Sequence, residues 1–340
     1  MSDLNCGSGG GSTTFHGLRI ASVFIIWVTS SFAATFPVVA RRSRRIYIPT
    51  PIFETAKYFG SGVIIATAFI HLLSPGVQEL TSPCLAPAWQ DYPYAFALAL
   101  LSSLGIFIIE IIAFRIGTAK LKELGITHGH GAGALSASAS GHEVPLTSSD
   151  PEKTEKDHEV VHTHGRLDKQ GSFVSDEDAL AQLIGVAILE FGVILHSVLI
   201  GLTLAVDERF KVLFIVVIFH QMFEGLGVGS RLAFLVLPHK YRHVPYLGSF
   251  LYGITTPIGI AAGLGVQTTY NPGSTRATMV SGILDSLSAG ILLYTGFVEL
   301  LAHEFLFNAQ IREVGLPKLL YNLGCMMLGV GLMALLGKWA

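Results

Sequence analysis

Charge is scarce in this chain: 22 Lys and Arg and 24 Asp and Glu make up 14% of 340 residues. A soluble domain carries roughly 25%. Residues 117–180 take 17 of the 46 charges and leave 29 for the other 276 positions. That remainder has too little polar side chain to cover a water-facing globule. An ordinary cytosolic enzyme, a disordered protein and a nucleic-acid binder with a basic face are all excluded. No phosphate-loop motif is present, so nothing supports ATP drive. Cysteine is rare as well, three in all. What remains in quantity is apolar side chain, 51% of residues with a mean hydropathy of +0.56, together with an unusual 13 histidines.

Crossing a hydrocarbon core takes about 20 consecutive apolar residues. Eight stretches meet this: 18–40, 55–79, 93–116, 180–206, 210–237, 245–268, 277–304 and 317–338. The expected fold is therefore an all-α integral membrane protein of eight transmembrane helices, a single membrane domain over 1–340. The first stretch starts late, lacks a basic leader and ends in Arg41, Arg42, Arg44 and Arg45, so it reads as a retained anchor. An even span count puts both termini on one side. With the termini outside, the cytoplasmic segments hold 15 Lys and Arg, and the exterior ends and loops hold five. The positive-inside rule then favours extracellular termini. On that topology Cys6 and Cys84 both face the oxidising exterior and could pair there, with three free cysteines as the open alternative.

Residues 117–179 differ in kind. This segment between the third and fourth spans is rich in Gly, Ala, Ser and charge, which predicts a disordered cytoplasmic loop. His128, His130, His158, His162 and His164 fall in it, and such a tract suits loose metal capture; a merely solvated linker is the plainer reading.

Ionisable groups at membrane depth mark function by default. The fourth and fifth spans are joined by the short turn Asp207-Glu208-Arg209, and His196 and His220 each lie 12 residues from Glu208. At 1.5 Å per residue both imidazoles sit roughly 18 Å below the turn. Glu224 follows His220 by four residues, on the same helix face. Two histidines and a carboxylate at one depth make a divalent-metal site of N and O donors. His71, on the second span just before Pro75, sits about 14 Å from its exterior end by the same rise. Glu190, Glu299 and His303 fall in the cytoplasmic halves of their spans, as an inner exit route or as paired structural charges.

His196-Ser197-Val198-Leu199-Ile200-Gly201 and His220-Gln221-Met222-Phe223-Glu224-Gly225 resemble the paired signatures on the fourth and fifth helices of the ZIP (Zrt/Irt-like) metal transporters. Gly62–His71 resembles the second helix of that family, and Leu301-Ala302-His303-Glu304-Phe305 points to its fungal and plant zinc- or iron-uptake branch. The resemblance covers nearly the whole chain. It implies that His196, His220 and Glu224 are transport ligands, with His71 completing the shell and Ser197 and Gln221 adjacent. Some members hold two metals, using His-Asn-x-Pro-Glu on the fourth helix and Gln-Asp-x-Pro-Glu on the fifth. Here Ser197, Ile200 and Gln221 replace the asparagine, the first glutamate and the aspartate, and Thr256 stands before Pro257 where an acid is frequent. One metal position is therefore expected in the membrane, not two.

The function expected from these features is transport of divalent zinc into the cytoplasm by alternating access. The protein is expected to be no enzyme, to need no organic cofactor, and to reside in the plasma membrane. Zinc would be the substrate, with iron, manganese and cadmium as alternatives that the same donors accept. The partners are the metal ion and the bilayer, not nucleic acid; a homodimer is open. The competing readings are an intramembrane zinc-dependent hydrolase, which needs an open coordination position for water, and a metal sensor that does not transport.

Overall fold

A computed structural model describes residues 6–7, 9–43, 48–123, 176–235, 237 and 239–339. Among them, eight helices are long and apolar enough to cross a membrane, and no strand occurs. The first span is α1 (His16–Arg42); the second is built from α2 (Thr50–Ala66), a π-helical segment (Thr67–Leu73) and α3 (Ser74–Leu80). Then come α4 (Tyr94–Glu123), α5 (Asp176–Val206), α6 (Phe210–Phe234) and α7 (Val244–Gly265). The seventh span joins α8 (Thr275–Tyr294) to a second π-helical segment (Thr295–Phe307); the short α9 (Ala309–Arg312) precedes the last span, α10 (Leu316–Leu336). The chain is a multi-pass integral membrane protein.

The segment drawn from sequence as a loop over 117–179 is helical at both ends, since α4 continues to Glu123 and α5 begins at Asp176. The sequence there explains it: Ala119, Lys120, Leu121, Lys122 and Glu123 are good helix formers, and acidic Asp176, Glu177 and Asp178 suit the positive end of a helix. Six of the charges counted there, at 120, 122, 123, 176, 177 and 178, lie on these helix extensions. The histidines at 128, 130, 158, 162 and 164 lie outside the described residues.

The spans pack as two groups. In one, α1 lies against α6 and α7, and α5 against α7; in the other, α2 lies against α10, and α8 against α3 and α4. The groups meet where α2 touches α6 and α5 touches α8. One buried cluster crosses that seam, including Ile64, Ala68 and Leu72 from the second span, Val228 and Leu232 from α6, and Leu292 from α8. Outward-facing positions are large and apolar, as Leu100, Leu101, Leu104, Ile108 and Ile112 on α4 show, because lipid needs no polar covering.

Proline shapes two spans. Pro257 has no N–H for the carbonyl of Gly253, and Ser30 on α1 donates its hydroxyl to that oxygen instead, at 3.1 Å. Pro75 likewise leaves the carbonyl of His71 without its usual donor, and the helix just before it is π-wound: the Ser74 amide reaches back to Phe69 O. π-turns of this kind recur at functional sites.

At one end of the bundle, a disulfide joins Cys6 to Cys84, which lies between α3 and α4. From there the N-terminal segment crosses the ends of other spans. Asn271 donates to Gly7 O at 3.0 Å, Gly11 N–H to Gln267 O at 2.8 Å and Ser12 N–H to Val206 O at 2.9 Å.

Candidate metal-transport site

The hairpin of α5 and α6 is held from its tip. Arg19, fully buried on α1, donates to Leu204 O at 3.0 Å, Ala205 O at 2.9 Å and Asp207 O at 2.7 Å. These are carbonyls that the end of α5 leaves without intrahelical donors, and a cation there also meets the negative end of the helix dipole. The guanidinium stacks 4.5 Å from the ring of Phe210, the first residue of α6. Both helices of the hairpin are thereby fixed in register, and equal distances down each reach equal depth.

At that depth His196 Nε2 and His220 Nε2 are 3.3 Å apart. Glu224 Oε2, one turn along α6, is 3.9 Å from His220 Nε2. One donor atom from each of the three lies within 4.8 Å of the others. With zinc bonds of about 2.0–2.2 Å in tetrahedral geometry, two donors on one ion stand roughly 3.3–3.5 Å apart. The histidine pair already meets that spacing, and Glu224 needs only a small rotation. All three residues are buried, His220 and Glu224 completely.

His71 stands beside this trio without joining its donor atoms. Its ring meets that of His220 edge to face, centroids 4.7 Å apart, while its Nε2 lies 3.1 Å from Met333 O on α10. Ser197 and Gln221 are fully buried next to the histidines. Gln221 donates its amide to Thr256 Oγ1. Tyr252, one turn before Thr256 on the same face of α7, donates its hydroxyl to Gln221 O at 2.7 Å and lies 3.5 Å from Glu224 Oε2. Tyr252 was missed from sequence, where a tyrosine in an apolar span passes for core; its spacing of four from Thr256 was the available signal.

Buried polar atoms are nearly always paired. Here five are not, among the described residues: Nδ1 of His196 and of His220, Oε1 of Glu224, Oε1 of Gln221 and Oγ of Ser197. Such a concentration is costly for a dry protein interior, and it suits a site that hosts a charged guest.

Toward the other end of the bundle, Glu299 Oε1 is 4.0 Å from His303 Nε2 within the second π segment. Glu304 pairs with Lys57 on α2 and lies 3.8 Å from Arg231 Nη2 on α6. Sequence reading singled out neither cation. Glu190 stands apart on α5, with no ion pair or hydrogen bond to Glu299 or His303 among the described residues.

Eight membrane-crossing helices around a buried cluster of two imidazoles and one carboxylate define a membrane protein built to handle a divalent cation. The family model described as ZIP Zinc transporter matches residues 16–337. Zinc-regulated transporter 1 of Schizosaccharomyces pombe is 41% identical over 350 residues, covering 95% of this chain and 85% of that protein. Zinc-regulated transporters 1 and 2 of Saccharomyces cerevisiae are 40% and 36% identical, covering 95% and 98% of this chain and 88% and 97% of their own lengths. The chain belongs to the ZIP zinc transporter family.

Proposed function

We propose that this protein carries zinc into the cytoplasm and that His196, His220 and Glu224 ligate the ion in passage. The observation that carries the reading is the convergence of their donor atoms within 4.8 Å on three buried residues. Imidazole and carboxylate donors suit zinc, and the absence of a thiolate among them disfavours Cu(I). One anionic ligand with neutral imidazoles also holds a divalent ion weakly enough to let it go, as transport requires. His71 completes the shell by turning from Met333 toward the ion. Ser197, Gln221 and Thr256 are neutral, and Ile200 packs into an apolar cluster, so we assign one metal to the membrane site.

The face bearing the disulfide is the outside in this reading, which agrees with the basic residues at the opposite ends of the spans. Metal passes by alternating access to the inner half, where Glu190, Glu299 and His303 line the exit. The loop histidines hold delivered metal as accessory ligands. Similarity to fungal zinc-regulated transporters supports residence in the plasma membrane.

The test is purified protein in liposomes holding a zinc-sensitive dye. Wild type should show saturable zinc entry, and His196→Ala should lose it. Lipid hydrolysis without flux, or undiminished flux in the variant, would overturn the reading. Iron, manganese and cadmium belong in the same assay as competitors. Protonated imidazole cannot ligate, so acid should compete with metal.

A further inference from the structure

We propose that Tyr252 is a positioning residue that favours zinc release: its hydroxyl stabilises the Glu224 carboxylate whenever the ion is absent. This rests on the assignment of Glu224 as a ligand. Tyr252 is 1% exposed, and its ring is wedged against α6, where Cε1 lies 2.8 Å from the place a Cβ on Gly225 would occupy. The ring is therefore held in place, and what can change is the direction of its O–H bond. Two acceptors lie within reach of that one proton. Gln221 O takes it at 2.7 Å, and Glu224 Oε2 waits at 3.5 Å.

The other neighbour of Oε2 is His220 Nε2, at 3.9 Å. When zinc binds, both groups serve the metal: His220 Nε2 gives its lone pair, Glu224 turns toward the ion, and the tyrosine proton stays on the Gln221 carbonyl. When zinc leaves, a buried carboxylate needs a donor. A rotation about the Tyr252 C–O bond and a small swing of Glu224 supply one. Tyr252 thus lowers the free energy of the empty site more than that of the loaded site, and differential stabilisation of this kind shifts the equilibrium toward release. An outer residue that merely orients a ligand acts the other way, because its loss weakens metal binding.

Tyr252→Phe removes the hydroxyl and keeps the ring in its slot. In the liposome assay, the variant should show KM and kcat for zinc both lowered, by roughly three- to tenfold, the net scale of one hydrogen bond. Equilibrium titration with zinc alone should show a correspondingly lower Kd. A raised KM or Kd would mean that Tyr252 only orients the site, and unchanged constants would mean that the hydroxyl does nothing; either result overturns the inference. Thr55→Val, which removes a hydroxyl exposed on α2 and bonded to Tyr321, serves as the control and should leave all constants alone. Glu224→Gln in parallel separates the two levels of the reading. If it binds and transports zinc as wild type does, the ligand assignment itself fails; if it is inactive while Tyr252→Phe is normal, only the role of Tyr252 fails.

Discussion

Replacing Glu224 by glutamine is expected to abolish zinc uptake while leaving the fold in place. Glutamine keeps the shape of the side chain and removes its charge, in a pocket where no atom of His220 or Glu224 reaches solvent. Glu224 is the sole anion among the three residues whose donors converge. Without it, a doubly charged ion would sit in the interior with imidazoles alone. Leaving a buried charge uncompensated costs about 3–5 kcal/mol, and 1.4 kcal/mol is a factor of ten, so uptake should fall by at least about 100-fold. Glu224→Asp keeps the charge but shortens the arm by one carbon; with Oε2 already 3.9 Å from His220 Nε2, it should retain weak activity. The order wild type, Asp, Gln is the signature of charge acting at a defined distance. Near-normal zinc affinity in Glu224→Gln would show that the ion travels elsewhere.

The spans were legible because hydrocarbon thickness sets a minimum apolar length and little else in the sequence competes with it. Convergence of His196, His220 and Glu224 was legible for a related reason. A three-residue turn joins two regular helices, so equal residue counts from Glu208 mean equal depth, and a spacing of four puts Glu224 under His220. Contacts that depend on which helix lies opposite were not legible. Nothing near His71 in sequence shows that Met333 O, 262 residues away, takes its Nε2, and nothing marks Lys57 and Arg231 as the neighbours of Glu304. The two π segments divide on the same line. Pro75 announces a disturbed helix beside His71, whereas Thr295–Phe307 contains no proline and nothing in its own sequence marks its π winding. The ends of α4 at Glu123 and of α5 at Asp176 are not legible in composition, because the helix formers at 119–123 and the acidic residues at 176–178 are too few to stand out from the loop-like stretch around them.

The largest effect on assembly is expected at Gly227. Here α6, which carries His220 and Glu224, crosses α2 so closely that a Cβ on Gly60 would lie 2.2 Å from the Cα of Gly227, and a Cβ on Gly227 would lie 2.9 Å from the Cα of Gly60. The obstacle on each side is backbone, which cannot rotate away as a side chain can. Small residues at such crossings let membrane helices approach and pack. Gly227→Val must push α6 off α2, and a shift of that seam also parts His71 from His220, whose rings meet 4.7 Å apart across it. Overpacking a well-fitted interior costs about 1–3 kcal/mol even where side chains can adjust; with backbone opposed, about 3 kcal/mol or more is expected. Thermal unfolding in detergent should show a clear fall in Tm, and zinc binding should weaken with it. Gly60→Val should do the same, and the double variant should cost less than the sum, since one contact is broken in both cases. Gly105→Val provides the contrast: its Cβ would meet nothing within 4 Å, and its Tm should stay close to that of wild type. Equal damage from Gly105→Val and Gly227→Val would mean that the α2–α6 crossing does not set the cost. A fall confined to Gly60 and Gly227 ties the integrity of the metal site to this close approach between the two groups of spans.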